Sequence, residues 1–206
     1  MNMINLIFDL DGTLIDSRQR LYRLFQRLVP ESKLSFESYW ELKRDQVSNE
    51  TILASEFGYD AVAIKYFLAN WMYLIEEPDY LALDTLIPCI QDSLDKLRED
   101  AIIHVCTARQ HRTLVVGQLS RLGLLGYFDS VMVTEQRRSK EELIANLPNL
   151  GPGDWIIGDT GKDIQVGQAL GLNTCAVLSG FMNEERLKAY NPQLILQTAA
   201  DFYVSL

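Results

Sequence analysis

Short apolar runs rich in β-branched residues alternate along the chain with longer segments whose apolar residues recur at helical spacing. Asn5 to Phe8, Ala101 to Cys106, Ser130 to Val133, Asp154 to Ile157 and Thr174 to Leu178 read as buried strands. Between them, Gln110 to Leu122, Lys140 to Leu147 and Asp163 to Leu170 carry the helical period. A strand-helix-strand series of this kind predicts an α/β fold in which helices cover both faces of a parallel sheet.

One interval breaks the alternation. From Ser17 to about Asp84 no convincing strand occurs, and RLYRLFQRLVP, FESYWELKRD, NETILASEF and AVAIKYFLANWMYLI all place apolar residues at helical spacing. Ser48 stands where it would cap the third of these helices. The pattern predicts a helical domain of residues 17–84 inserted after the first strand of a core formed by residues 1–16 and 85–206. Trp40, Trp71 and Tyr73 are expected to pack within that insertion. Pro78 and Pro88 flank the return to the core, and Pro88 would suit the first turn of the next helix. There is no internal repeat and no low-complexity tract.

Candidate chemistry gathers where the strands end. In parallel α/β sheets, ligands bind beyond the carboxyl ends of the strands, and Asp9, Thr107 and Asp159 each follow an apolar run there. Asp9 and Asp11 alone could be the corner of a turn, with Asp11-Gly12 at its tip. Thr107 alone could cap the following helix, and Asp159 and Asp163 could cap theirs. Their convergence in a single sheet favours a site.

Composition narrows the classes of partner. The chain has 206 residues and a formal net charge of −9. Without a basic block to offset that charge, neither nucleic acid nor an anionic membrane surface is an expected partner. An anionic substrate would have to be met locally, by a cation or by helix ends. Cys89, Cys106 and Cys175 are few, widely spaced and odd in number, which predicts reduced, buried thiols rather than a disulfide framework. MNMINLIFDL lacks the basic start and long apolar stretch of a signal peptide, and no segment reaches membrane-spanning length without charges. A soluble, cytoplasmic protein is expected.

DLDGT at Asp9 to Thr13, Thr107, Lys140 and GDTGKD at Gly158 to Asp163 resemble, in order and spacing, the haloacid dehalogenase-like hydrolase superfamily. The likeness covers nearly the whole chain. It implies a Rossmann-like core whose helical insertion is a cap similar to that of the subgroup containing phosphoglycolate phosphatase and β-phosphoglucomutase. It further implies a Mg²⁺-dependent phosphomonoester hydrolase acting on a small phosphorylated metabolite. Asp9 would be the nucleophile that forms an aspartyl-phosphate, and Asp11 the acid and then the base. Thr107 would hold a phosphoryl oxygen, and Lys140 would neutralise developing charge. The metal would take Asp9, Asp159 and the main-chain oxygen of Asp11, with Asp163 acting through water or by orienting neighbours.

Lys140 is preferred over the nearby Arg137 and Arg138 because family spacing places a lysine at this helix start. It is followed here by Glu141, where many relatives have proline. Ala108, Arg109 and Arg44 are candidate substrate contacts, with Arg109 read in preference as facing solvent. Arg44 belongs to KRDQVSNE, read as an interhelical segment that could present Lys43 or Arg44 to an anionic leaving group or simply be solvated.

Other activities fit less well. A dehalogenase of the superfamily lacks the second acid that Asp11 supplies. A sugar phosphomutase shares the core motifs, but related mutases carry a histidine where Leu21 aligns. A receiver-like signalling domain would not readily tolerate the insertion, and a non-catalytic partner-binding member would have no need of the intact acids. Monomer and homodimer fit the sequence equally.

Overall fold

The computed structural model describes residues 3–203. The chain divides into two compact units, Met1–Asp16 with Thr85–Leu206 and, separately, Ser17–Asp84.

The first unit opens with β1 (Ile4–Phe8) and the two-residue β2 (Ile15–Asp16). The second unit holds the helices α1 (Arg18–Leu28), α2 (Phe36–Arg44), α3 (Asn49–Phe57), α4 (Ala61–Leu74) and the short α5 (Pro78–Leu81). Returning to the first unit, the chain forms β3 (Thr85–Leu86), α6 (Ile90–Leu97), β4 (Ala101–Thr107), α7 (Arg112–Arg121), β5 (Ser130–Val133) and α8 (Lys140–Ile144). It closes with β6 (Trp155–Gly158), α9 (Gly161–Ala169), β7 (Asn173–Val177), α10 (Glu184–Lys188) and β8 (Leu194–Leu196).

The six main strands pair in parallel in the order β5-β4-β1-β6-β7-β8. β1 is therefore central, and its side chains alternate between two apolar layers. Leu6 and Phe8 pack in a cluster with Ile90, Leu94, Val115 and Leu119, while Ile7 packs against Leu143, Ile144 and Ile156. Burial on both faces is why this strand reads as an unbroken apolar run. The α/β reading of the sequence matches this sheet. The edge strand β8 and the β2–β3 ribbon, which pairs Ile15 with Leu86, are too short to carry a period and escape the sequence pattern.

In the helical unit, polar caps set the boundaries. The hydroxyls of Ser35 and Ser48 accept from the backbone N–H groups of Ser38 and Thr51, and Asp60 accepts from Ala63. Gly58, at φ +66°, ends α3 in the left-handed conformation. Phe25 is the hub of the interior: its ring centroid lies 4.7 Å from that of Tyr39, 6.0 Å from Phe67 and 6.3 Å from Phe57. Trp40 is buried and Trp71 stacks on Phe67.

Four expectations need correction. Tyr73 is 75% exposed, because it projects from the outer side of α4 rather than into the interior. Pro78, not Pro88, occupies a first helical turn, since Cys89 with φ +61° separates Pro88 from α6. That position also leaves Cys89 exposed, while Cys106 and Cys175 are buried as expected, and all three thiols are free. Lys43 and Arg44 close α2 instead of lying in a loop. The Lys43 ammonium donates to Val47 O and Asn49 Oδ1, and burial lowers its pKa to about 8, opposed by nearby Glu50.

Phe25→Ala is expected to cost about 3–5 kcal/mol, the usual range for emptying a fully buried aromatic site. Hydrogen exchange should show the loss of protection concentrated in residues 17–84, and unchanged protection there would contradict the hub assignment.

Candidate active site

Strand register brings the site together. Phe8 pairs with Val105 of β4 and Ile157 of β6, so the next residue, Asp9, leaves the centre of the sheet with Thr107 and Asp159 ending or following the strands on either side. The Asp9 N–H donates to Ile157 O at 2.8 Å, which extends the ladder one step and fixes where its side chain emerges. The chain then turns sharply, with the N–H groups of Thr13, Leu14 and Ile15 all directed at Leu10 O. Gly12 takes φ +80° in this turn, and a Cβ there would overlap the Asp159 carboxylate, so the position requires glycine for both conformation and space.

Lys140 is the first residue of α8, where Ser139 and Glu142 form a reciprocal capping box: Glu142 N donates to Ser139 Oγ and Ser139 N to Glu142 Oε2. From that start its ammonium donates to Asp9 Oδ1 and, at 2.6 Å, to Asp163 Oδ1. Burial disfavours the ammonium, but Asp163 and Asp9 together outweigh it and hold the Lys140 pKa above its ordinary range. Arg137 and Arg138 line the same cavity from exposed positions.

Asp163 does two things at once. Its Oδ2 accepts from the N–H and hydroxyl of Thr160, at 3.2 and 2.7 Å, and so caps α9, while Oδ1 meets Lys140. The capping contact and the contact with Lys140 are thus made by different oxygens of one carboxylate. Asp159 Oδ2 accepts from Phe181 N at 2.6 Å, but its buried Oδ1 has no hydrogen-bond partner among the described residues.

Oxygens of Asp9, Asp159 and Asp163 lie within 4.8 Å of one another. Burial, opposed by Lys140 and reinforced by Asp163 and Asp11, raises the Asp9 pKa to about 7. Burial, with the carboxylates of Asp9 and Asp163, raises Asp159 as well, opposed by the Phe181 N–H and Lys140. Together with Asp11, four buried or half-buried acids of the cavity meet Lys140 and Arg109, a formal excess of two negative charges among the groups held away from solvent, while Glu141, Arg137, Arg138 and Lys162 line the cavity from exposed positions. An all-oxygen donor set, an unpartnered buried carboxylate oxygen and that excess fit a hard divalent cation. The side chain of Asp11 stands outside the three-acid group.

Asp11 instead meets Arg109, whose Nε and Nη2 donate to its two oxygens at 2.5 and 2.7 Å. Arg109 is only 7% exposed, which corrects the expectation that it faces solvent. The guanidinium is drawn inward by the carboxylate and by Gln118 Oε1 at 3.4 Å. Ala108 is exposed on the cavity wall, and Thr107 is buried at the end of β4 rather than capping α7, whose cap position is His111. Arg44 is not among the residues lining this cavity, which has a volume of about 990 Å³.

The sequence reading missed a supporting loop. After β7, Ser179 donates to Gly12 O at 2.7 Å, Gly180 leaves room for the Asp159 carboxylate, and Phe181 supplies the N–H that holds it. Thr134, directly after β5, also lines the cavity. Both follow apolar strands, so the signal that found Asp9 and Asp159 was present for them too.

Among the described residues, no helix is long and apolar enough to cross a membrane. The sequence is 25% identical over 211 residues to the pyrophosphatase PpaX of Oceanobacillus iheyensis, with 98% of this chain and 95% of that protein covered. It is also 25% identical over 205 residues to the phosphoglycolate phosphatase of Synechococcus elongatus, covering 95% and 93% of the two chains. The fold is shared with a haloacid dehalogenase-like family hydrolase from Streptococcus pneumoniae, at TM-score 0.73 and 21% identity over 96% of this chain and 95% of that one. A HAD-superfamily hydrolase from Geobacter sulfurreducens superposes at TM-score 0.69 with 17% identity, covering 97% and 94%. Residues 6–177 match the model of one family as a whole, and the chain belongs to the haloacid dehalogenase-like hydrolases.

Proposed function

We propose that this enzyme is a Mg²⁺-dependent phosphomonoester hydrolase that works through an aspartyl-phosphate on Asp9. The observation that carries the reading is the placement of Asp9: it ends the central strand, meets the Lys140 ammonium, and shares an acidic group with Asp159 and Asp163. The division into a core of residues 1–16 and 85–206 and a cap of residues 17–84 is part of the same reading.

Asp9, Asp159 and, through its main chain, Asp11 would hold the cation, with Asp163 acting through water or by positioning Lys140. Mg²⁺ would supply positive charge against which an anionic carboxylate can approach an anionic phosphoryl group. An Asp9 oxygen attacks phosphorus, and the bond from phosphorus to the ester oxygen breaks. Asp11 gives the departing oxygen its proton. Asp11 then takes a proton from water as that water attacks the phosphorus of the aspartyl-phosphate, which releases inorganic phosphate and restores the Asp9 carboxylate. Thr107 donates its hydroxyl to a phosphoryl oxygen, and Lys140 stabilises charge on the transferring group. Ala108 and Arg109 line the cavity in which the substrate would sit.

The substrate is a small phosphorylated metabolite, and the names of the relatives direct the first choices for a panel, phosphoglycolate and inorganic pyrophosphate, to which sugar phosphates are added. Three free thiols support a reducing, cytoplasmic setting.

Asp9→Asn should reduce phosphate release from the best ester by about 10⁴-fold or more while the protein stays folded, as expected when a covalent nucleophile is removed. Metal-dependent turnover that survives this change would remove the aspartyl-phosphate. Asp11→Asn should slow formation and hydrolysis of that intermediate alike, which rapid-quench measurement of labelled enzyme resolves. Wild-type rates for both steps would place the proton elsewhere.

Metal binding should depend on pH with a definite sign. Asp9 and Asp159 have folded-state pKa values raised above those of the unfolded chain, so the metal-free fold binds extra protons and loses stability as pH climbs through about 7. A cation competes with those protons. The thermal stabilisation produced by Mg²⁺ should be larger at pH 8 than at pH 6 and should largely disappear in Asp159→Asn; equal shifts at both pH values would contradict the three-acid site.

A further inference from the structure

The contact between Asp11 and Arg109 sets a chemical problem for the reading above, on which this inference rests. The guanidinium meets both Asp11 oxygens with two adjacent N–H groups, and the two side chains are only 7% and 17% exposed. Held in this fork, each oxygen of the carboxylate already accepts an N–H, and a proton placed along that lone pair would oppose the donor that occupies it. Opening the fork would free both oxygens for proton transfer.

We propose that Arg109 exchanges anions: it holds Asp11 while the cavity is empty and passes to the phosphoryl oxygens when substrate enters, which frees Asp11 for its proton transfers. A guanidinium suits both partners because carboxylate and phosphate each present paired oxygens to its planar fork. The residue stands two positions after Thr107 on the wall of the same cavity as Asp9, so a phosphoryl group held by Thr107 arrives beside it. Gln118, buried on α7 with its Oε1 3.4 Å from Arg109 Nη2, anchors the guanidinium while its partner changes. Arg137, Arg138 and Lys162 also line the cavity, but from exposed positions, and they add positive field without linking the arrival of an anion to Asp11.

The exchange predicts a coupling that a general electrostatic effect does not produce. In calorimetric titrations of inorganic phosphate with Mg²⁺ present, Arg109→Gln should weaken binding about tenfold, in keeping with loss of a charge-assisted pair. Asp11→Asn, which releases the guanidinium, should tighten binding about tenfold in the Arg109 protein and less than twofold in the Arg109→Gln protein. Equal tightening in both backgrounds would reveal a field effect alone and overturn the exchange, as would unchanged affinity in Arg109→Gln. Should that variant fail to fold, Arg109→Lys keeps the charge without the fork and should lose at least half of the coupling on a logarithmic scale; full coupling there would also overturn it. Coupling in a wild-type protein that hydrolyses no ester would sink the hydrolase reading and leave the exchange standing, whereas hydrolysis without coupling would do the reverse.

Discussion

The site depends on one buried ammonium. Lys140 reaches from the start of α8 to Asp9 at the end of β1 and to Asp163 on α9, so one charge ties together three elements that are far apart in sequence. Desolvating an ammonium and two carboxylates is expensive, and the attraction of Lys140 for both acids is what offsets that expense. Removing the ammonium would leave two buried carboxylates side by side, a defect that commonly costs about 3–5 kcal/mol. The apolar layers around Leu6, Ile7 and Phe8 carry the folding free energy that keeps such a cluster in place.

Among the groups held away from solvent, the acids outnumber the cations even with Lys140 and Arg109 counted. The shortage is concentrated at Asp159, whose Oδ1 lies buried without a hydrogen-bond partner among the described residues. Backbone shape enforces the shortage, because Gly12 and Gly180 crowd the carboxylate so closely that neither could carry a Cβ. An arrangement that raises carboxylate pKa values and denies one oxygen a partner is costly for a protein that needs only to fold. It makes sense where a cation completes the balance.

Much of this was legible in the sequence because the relevant signals are local. Unbroken apolar runs disclosed the five longer strands of the sheet, and acids or hydroxyls at their carboxyl ends disclosed Asp9, Thr107 and Asp159. Ser48 announced α3 through the side chain that caps it. What stayed hidden depends on pairing across the fold. Arg109 looks like a solvated residue until Asp11, 98 positions away, is found against it. The β8 edge and the β2–β3 ribbon have too few residues to show a period, and Cys89 owes its exposure to a left-handed backbone that no apolar pattern encodes. The helical assignment of residues 17–84 succeeded for a different reason: caps and spacing there agree, so local preference and packing point the same way.

Asp9 and Asp11 also show how a fold can give two like residues different surroundings. On a continuing strand, side chains two apart would share a face, and two carboxylates so placed would repel each other. The turn that converges on Leu10 O interrupts that geometry after Asp9. Asp9 remains under the ammonium of Lys140, while Asp11 swings to a guanidinium on the segment after β4. The lysine presents a point charge on a flexible stem, whereas the arginine presents a planar fork that takes both oxygens. Each acid thus has its own cation, from a different element and of a different chemical kind. Separate partners are the structural basis for separate roles, since one can change its contacts while the other keeps them.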